Sequence, residues 1–164
     1  MNIQRFDIGV LEGDKINPMH RIIHQRTSTW MTHAVMFKNE KGDIWDARMA
    51  GIGDNHISEY AGRYLTIHRW HDYWDTDAME EWLNRTLLKA EGYDFKALLG
   101  FLTGDESFQC DNRWYCIEMP YRMFQDTGHL ITREVKPFFY PSDLFYSERF
   151  RLVWEGDAGE CLKT

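Results

Sequence analysis

The chain has 164 residues, 43% of them hydrophobic and 27% charged, so it is long enough to bury a core and too apolar to be intrinsically disordered. Its formal net charge is −7 and it has no dense block of Lys or Arg, which disfavours a nucleic-acid partner. No run approaches the roughly 18 apolar residues of a membrane span, and the first residues do not resemble a signal peptide. We therefore expect a single domain over residues 1–164, without a transmembrane segment and in the cytoplasm.

The sulfur chemistry of the chain rests on three cysteines, Cys110, Cys116 and Cys161. An odd number of cysteines without an export signal favours reduced thiols over a disulfide framework. The spacing of Cys110 and Cys116 matches no common zinc motif. His68 and His71 could suggest a metal, but an i, i+3 pair at a strand end points to opposite faces. We therefore expect neither a metal nor another cofactor.

The first half of the chain predicts mainly strands. Alternating apolar residues indicate a strand over 6–13, and helical spacing after Pro18 indicates a helix that contains Ile22 and Ile23. Asn39 and Gly42 are typical of a hairpin turn. Further strands are predicted at residues 30–38, 43–49 and 62–70.

The second half begins with the clearest helix, which Asp75 or Asp77 can cap and Gly92 ends. A shorter helix over 93–104 and a helical segment within 114–128 are predicted next. Strand-like segments follow, at residues 129–135, 137–148 and 149–154. Strands on both sides of a helical middle predict an α+β fold, with a small antiparallel sheet or partial barrel packed against helices.

Cys116 is the candidate nucleophile. It precedes Met119, Met123 and Phe124, whose spacing indicates a helix that buries one face. A thiolate at a helix N-terminus is stabilised by the free N–H groups and the dipole, and the same N–H groups can bind an oxyanion. The alternative is a structural cysteine, because free Cys is among the most buried residue types.

His33 is the candidate base. It lies in "MTHAVMF", which is typical of a buried strand, and the predicted hairpin brings Asp46 close to it. A thiol, an imidazole and a carboxylate that orients the imidazole form a catalytic triad. The alternative is an interior histidine whose hydrogen bonds are satisfied by the core.

Aromatic side chains near these three positions are candidates for a substrate groove, and aromatics make up 15% of the chain. The alternative is that the same rings belong to the core. Tyr115 can reach an oxyanion or pack, and we expect it to pack. The candidates for substrate binding are Tyr115, Trp114, Trp30 and Trp45.

Several segments, taken in chain order, are similar to one known family. "FDIGVLEG" is similar to its opening strand, and "HRIIHQRTS" leads into "THAVMF", which is similar to its histidine strand. "IWDARMAGI" is similar to the segment with the third polar residue, and "GYDFKALLGF" to the helix before the nucleophile. "WYCIEMPYRMFQDTG" is similar to the nucleophile segment and "YPSDLFYSERFRLV" to the closing one. Most of the chain thus resembles the circularly permuted branch of the NlpC-type papain-like cysteine hydrolases, which includes YiiX-like proteins and lecithin retinol acyltransferase relatives.

The resemblance implies a permuted papain-like domain that cleaves an amide or ester bond through an acyl-enzyme, or transfers the acyl group. It implies that Cys116 is the nucleophile, His33 the base and Asp46 the residue that orients the base. The implied substrates are peptides, peptidoglycan fragments or acylated lipids. Without an export signal, a cell-wall substrate would be reached by lysis or in a phage particle.

Two residues depart from the family pattern. Ile117 replaces the serine that follows the family's cysteine. Pro120 lies four residues after Cys116, where a helix that begins at the cysteine needs an N–H, so that turn is distorted or the helix begins later. These departures leave a second hypothesis, a catalytically inactive papain-like binding or inhibitor module that acts through protein–protein contacts. A structural subunit with a Trp-rich surface is a third.

Overall fold

The computed structural model describes residues 2–48, 51–72, 74–89, 92–94, 113–133 and 138–163. It is an α+β structure built on an open sheet of six antiparallel strands, in the order β4-β3-β2-β1-β5-β8. Two very short strands, β6 and β7, pair in parallel beside it. The strands are β1 (Ile8–Glu12), β2 (Met31–Phe37), β3 (Asp43–Arg48), β4 (Gly51–His56), β5 (Tyr64–Trp70), β6 (Gly92–Tyr93), β7 (Arg113–Trp114) and β8 (Phe150–Asp157).

Three α-helices lie within the described part of the chain: α1 (Pro18–Thr27), α2 (Thr76–Lys89) and α3 (Glu118–Asp126). The side chain of Asn17 caps α1 by accepting the N–H of Met19, and Asp75 accepts the N–H of Ala78 at the start of α2. Two short 3₁₀ helices, η1 (Ile57–Tyr60) and η2 (Pro141–Leu144), complete the regular elements. Among the described residues, no helix is both long and apolar enough to span a bilayer.

The helix that follows Cys116 begins at Glu118 rather than at the cysteine. Cys116 and Ile117 form a turn in which the N–H of Glu118 binds the carbonyl of Tyr115 at 3.1 Å. Pro120 therefore lies in the first turn of α3, where a helix does not need its N–H. Of the two arrangements that the sequence allows, a distorted first turn or a later start, the structure has the later start.

The sheet separates two apolar clusters because side chains alternate along each strand. Ala34 and Met36 of β2 face α2 and α3 in the larger cluster. Val35 and Phe37 of the same strand face the opposite side, where η1 and the C-terminal turn cover the smaller cluster. His33 is two residues before Val35 and four before Phe37 on β2, so its side chain lies on the same face of the sheet, the face that η1 covers.

The hairpin of β2 and β3 has the turn that the sequence predicts, with Gly42 at a positive φ of 92°. β4 was not expected, because its residues "GIGDNH" lack apolar alternation, yet it pairs with all six residues of β3. Among the described residues of the predicted tail, only the segment 149–154 contributes to a strand, β8; residues 129–133 form no strand, and η2 replaces part of the segment 137–148. Tyr93 lies in β6 rather than in a helix, and the rest of the predicted helix after Asp94 lies outside the described residues. Cys110 also lies outside them.

A buried ion pair joins the N-terminal segment to the sheet. The Arg69 guanidinium donates to both carboxylate oxygens of Asp7 at 2.8 and 2.7 Å, and Asp7 is fully buried. Its two parallel hydrogen bonds are the strong geometry for such a pair.

We expect Arg69→Leu to lower the free energy of unfolding by about 3 kcal/mol or more, because it leaves the Asp7 carboxylate buried without its cation. Urea titration with circular dichroism measures the change. Arg151→Leu is the matched control, since Arg151 lies opposite Arg69 on β8 and is exposed. Equal stability of the two variants would contradict the role of the ion pair.

Candidate active site

His33 and Asp46 lie side by side at the end of the sheet where β2 begins. The register pairs Val35 with Asp46, which places His33 two residues away on the same face. His33 Nε2 is 2.9 Å from Asp46 Oδ1, and both side chains are buried. The sequence-based expectation that the hairpin brings these two residues together agrees with this geometry.

The Asp46 carboxylate accepts hydrogen bonds from three further residues. Tyr60 Oη donates to Oδ2 at 2.6 Å, Arg48 Nε at 2.6 Å and Asn55 Nδ2 at 3.1 Å. Tyr60 Oη also lies 3.1 Å from His33 Nε2. These contacts fix the carboxylate in position, so the imidazole that binds to it is fixed as well.

The network favours a charged pair. Burial opposes charge on the His33 ring, but hydrogen bonds to Asp46 and Cys116 outweigh it and raise the pKa of His33 to about 9. Burial alone would raise the pKa of Asp46; the hydrogen bonds from His33, Tyr60 and Arg48 instead lower it to about 2. At neutral pH the pair is therefore imidazolium and carboxylate.

Cys116 approaches the pair from the opposite face of the sheet. It lies in the turn before α3, and its Sγ is 3.9 Å from the carbonyl oxygen of Thr32, the residue before His33. Because Nε2 of His33 is occupied by Asp46 and Tyr60, the other ring nitrogen is the one left for the hydrogen bond with Cys116. The structure thus brings together all three residues predicted as a triad.

A cavity of about 460 Å³ opens beside His33. It lies between α1, the start of β2 and η1, and Thr32 and His33 belong to its wall. Cys116 is 3% exposed and lies behind that wall. The remaining lining residues are Asn17, Met19, His20, Ala47, Arg48, Glu59, Tyr60 and Arg63.

The aromatic residues predicted to bind substrate lie elsewhere. Trp45 is buried on the other face of β3, with its ring 6.1 Å from that of Phe6. Trp30 stacks on His24, and Trp114 packs edge-on against Trp82. None of the three lines the cavity beside His33. Their role in substrate binding therefore stays a prediction from the sequence alone.

Tyr115 packs in the core, as expected. Its hydroxyl accepts the N–H of Phe139 at 3.2 Å, and burial raises its pKa well above the usual value. The carboxylate of Glu118 accepts the N–H of Tyr115 at 3.5 Å from inside the first turn of α3. These contacts hold the turn that carries Cys116.

Sequence reasoning missed the residues of η1 and α1 that complete the site. Tyr60 follows Asp46 by fourteen positions (60 − 46), across a strand that the sequence did not indicate, so no periodic signal pointed to it. His20 of α1 has no partner that is evident from the sequence, yet its ring centroid lies 6.1 Å from that of His33.

No metal site is evident in the part of the chain that the structure describes, where no group of three or more His, Cys, Asp or Glu side chains could hold an ion. His68 is buried against Phe145 and bonds to Thr66, whereas His71 bonds to the carbonyl of Arg149. The two rings therefore face different partners.

The fold has a solved counterpart. The crystal structure of YiiX from Escherichia coli O157:H7, described as a metalloprotein, matches with a TM-score of 0.69 and 15% sequence identity. The match covers 95% of this chain and 99% of that one. No protein-family model matches the sequence. No curated protein matches it either. At this level of identity, the likeness shows a shared fold.

We expect Asp46→Asn to reduce the free energy of unfolding on the order of 2 kcal/mol at pH 6, because the pKa of Asp46 is lowered from 3.8 to about 2 in the folded chain. A lowered carboxyl pKa stabilises the fold above the unfolded value and loses that effect as the pH falls through the folded value. The difference between wild type and variant should therefore shrink from pH 5 to pH 2. Urea titrations across this range measure it.

Asp54→Asn is the control for this titration, since Asp54 lies on β4 and its side chain is exposed. A difference for Asp46→Asn that is independent of pH would contradict the ionised carboxylate.

Proposed function

We propose that the protein is a cysteine hydrolase that cleaves an amide or ester bond through an acyl-enzyme. The observation that carries the proposal is the imidazole of His33 between a buried carboxylate and a thiol, with the pKa of His33 raised to about 9. A thiol beside an imidazolium is the arrangement that activates cysteine nucleophiles. The fold shared with YiiX is compatible with this role.

Acylation is the first half of the proposed reaction. In the resting pair the proton lies on His33, and the sulfur attacks the carbonyl carbon of the substrate as the thiolate to form a tetrahedral oxyanion. We propose that backbone N–H groups in the turn before α3 bind the developing charge. The oxyanion collapses, the C–N or C–O bond breaks, and His33 protonates the departing amine or alcohol.

Deacylation restores the resting pair. A water molecule gives a proton to His33 as its oxygen attacks the thioester carbon. The C–S bond breaks, the sulfur leaves as the thiolate beside the protonated His33, and the carboxylic acid is released. An alcohol or amine in place of water would make the same residues an acyltransferase. Asp46 stays ionised throughout and holds the ring.

We propose that the acyl group enters through the cavity beside His33. Thr32 lines this cavity, and the sulfur of Cys116 lies 3.9 Å from the carbonyl oxygen of Thr32. Peptides, peptidoglycan fragments and acylated lipids are the substrate classes implied by the resemblance. The cavity, at about 460 Å³, has the size of a small-molecule site.

The burial of Cys116 favours a second candidate, a catalytically inactive module that keeps the fold and binds a protein partner. A hydrolase needs a thiol that its substrate can reach, but Cys116 is only 3% exposed. Ile117 and Met119 beside it are also buried. Reactivity of the thiol separates the two candidates.

The experiment is alkylation of Cys116 by iodoacetamide at pH 6 and pH 9, after Cys110→Ser and Cys161→Ala leave one thiol. We expect a substantial rate of alkylation at pH 6, a pH at which under about 1% of an ordinary free thiol is present as the thiolate. His33→Ala should lower the rate at pH 6 by about tenfold or more, because the thiolate loses its imidazolium.

His71→Ala is the matched control, since His71 lies outside the cavity and bonds to a carbonyl. A thiol that stays unreactive, or that reacts equally with and without His33, would exclude the hydrolase and support the binding module. Circular dichroism of each variant excludes unfolding as the cause.

A further inference from the structure

Two side chains that line the cavity beside His33 carry both a donor and an acceptor atom, and in each the acceptor already accepts a backbone N–H. Asn17 Oδ1 accepts the N–H of Met19 at 2.9 Å, which leaves its amide N–H₂ group for a ligand. His20 Nδ1 accepts the N–H of Asp14 at 2.6 Å, so the proton of the neutral ring lies on Nε2. Both side chains can therefore offer donors to the cavity.

The contact between His20 and the chain before α1 depends on Gly13. A Cβ at this position would lie 1.9 Å from Thr32 Oγ1 and 2.8 Å from His20 Nδ1. The absence of a side chain at Gly13 thus lets the Asp14 N–H reach the ring and fix its tautomer. The hydrogen bond between the Asp14 N–H and the His20 ring is thus part of the cavity wall.

The two arginines of the cavity differ in their partners. Arg48 donates to Asp46 at 2.6 Å and to Glu59 at 3.0 Å, so its charge is balanced. Arg63 stacks on Tyr60, with its guanidinium carbon 5.5 Å from the ring centroid. Among the described residues no carboxylate lies within 4.0 Å of the Arg63 guanidinium, whereas the one carboxylate of the cavity wall, Glu59, is paired with Arg48.

The charge of Arg63 reaches into the cavity. The pKa of His20 is lowered to about 4, mainly by burial and in part by the positive charges of His33 and Arg63. The described part of the cavity wall therefore has one cation without a paired carboxylate, Arg63, and neutral donors. Its carboxylate, Glu59, is already paired with Arg48. Such a lining favours a ligand that is anionic and rich in acceptors.

We propose that the cavity is an anion-recognition site in which Arg63, assisted by His20 and Asn17, binds a carboxylate or phosphate group of the substrate. The proposal rests on the proposed function, because it assigns a second binding point to the same acyl substrate. The anion lies at the η1 side of the cavity and the scissile carbonyl at the His33 side. Arg63 is thus a specificity-determining residue.

This assignment narrows the substrate class to acyl compounds that carry a negative charge near the cleaved bond. A carboxylate would come from an acidic peptide and a phosphate from a lipid headgroup. The shared chemistry is an oxyanion that a guanidinium can bind through two N–H groups. Neutral amides and esters should be poorer substrates.

The first experiment compares three para-nitrophenyl acyl esters of matched length that end in a carboxylate, a phosphonate or a neutral methyl ester. We expect Arg63→Gln to lower kcat/KM for an anionic ester by about tenfold or more, the loss of a charge-assisted hydrogen bond, and to leave the neutral ester unchanged. Arg63→Lys should recover part of the loss. The better of the two anionic esters identifies the source.

Arg151→Gln is the control, since it removes an exposed arginine outside the cavity. If wild type cleaves all three esters equally and Arg63→Gln changes none, the anion site is overturned while the hydrolase stands.

The second experiment reads binding without catalysis. In Cys116→Ala, the ring proton resonances of His20, assigned with His20→Asn, are followed by NMR while inorganic phosphate or glutarate is added. We expect a saturable shift that Arg63→Gln abolishes and Arg151→Gln retains. Binding without hydrolysis of any ester would overturn the proposed function and leave the anion site, and the absence of a saturable shift would overturn the site.

Discussion

The buried carboxylate of Asp46 is the constraint on which the site depends. A carboxylate without water is stable only when donors surround it, and here His33, Tyr60, Arg48 and Asn55 supply them. The donors come from β2, η1, β3 and β4, so the same charge ties together the hairpin, the strand beside it and the 3₁₀ helix that follows. The orientation of the imidazole, and with it the nitrogen that faces the thiol, is a consequence of this packing.

Much of this arrangement was accessible from the sequence, for identifiable physical reasons. Asn39 and Gly42 determine a short turn, and a short turn fixes the register that places His33 beside Asp46. Pro120 indicated either a distorted first turn or a later start for the helix after Cys116, and the helix begins at Glu118. The meeting of Cys116 with His33, 83 positions apart in the chain (116 − 33), has no local signal; only the order of segments that resembles the permuted family suggested it.

Other parts could not be predicted because tertiary contacts override local pattern. β4 is polar and contains two glycines, and pairing with β3 makes it a strand. Because the sequence did not indicate β4, it could not place η1. The contribution of Tyr60 and of the cavity to the site was therefore not predicted either. Trp45 shows a limit of proximity in sequence: it is next to Asp46 along β3, and its ring lies on the opposite face of the sheet because neighbours along a strand point to opposite sides. The fold shared with YiiX defines the scaffold, whereas the chemistry rests on these particular side chains.

The proposed function requires that Cys116 becomes acylated with the help of His33. The most direct measurement is intact-protein mass spectrometry after brief incubation with an activated acyl ester at pH 6. We expect a mass increase of one acyl group that maps to Cys116, decays on standing, and is lost in Cys116→Ser and strongly reduced in His33→Ala. An unmodified protein, or an adduct on another residue that forms equally without His33, would contradict it.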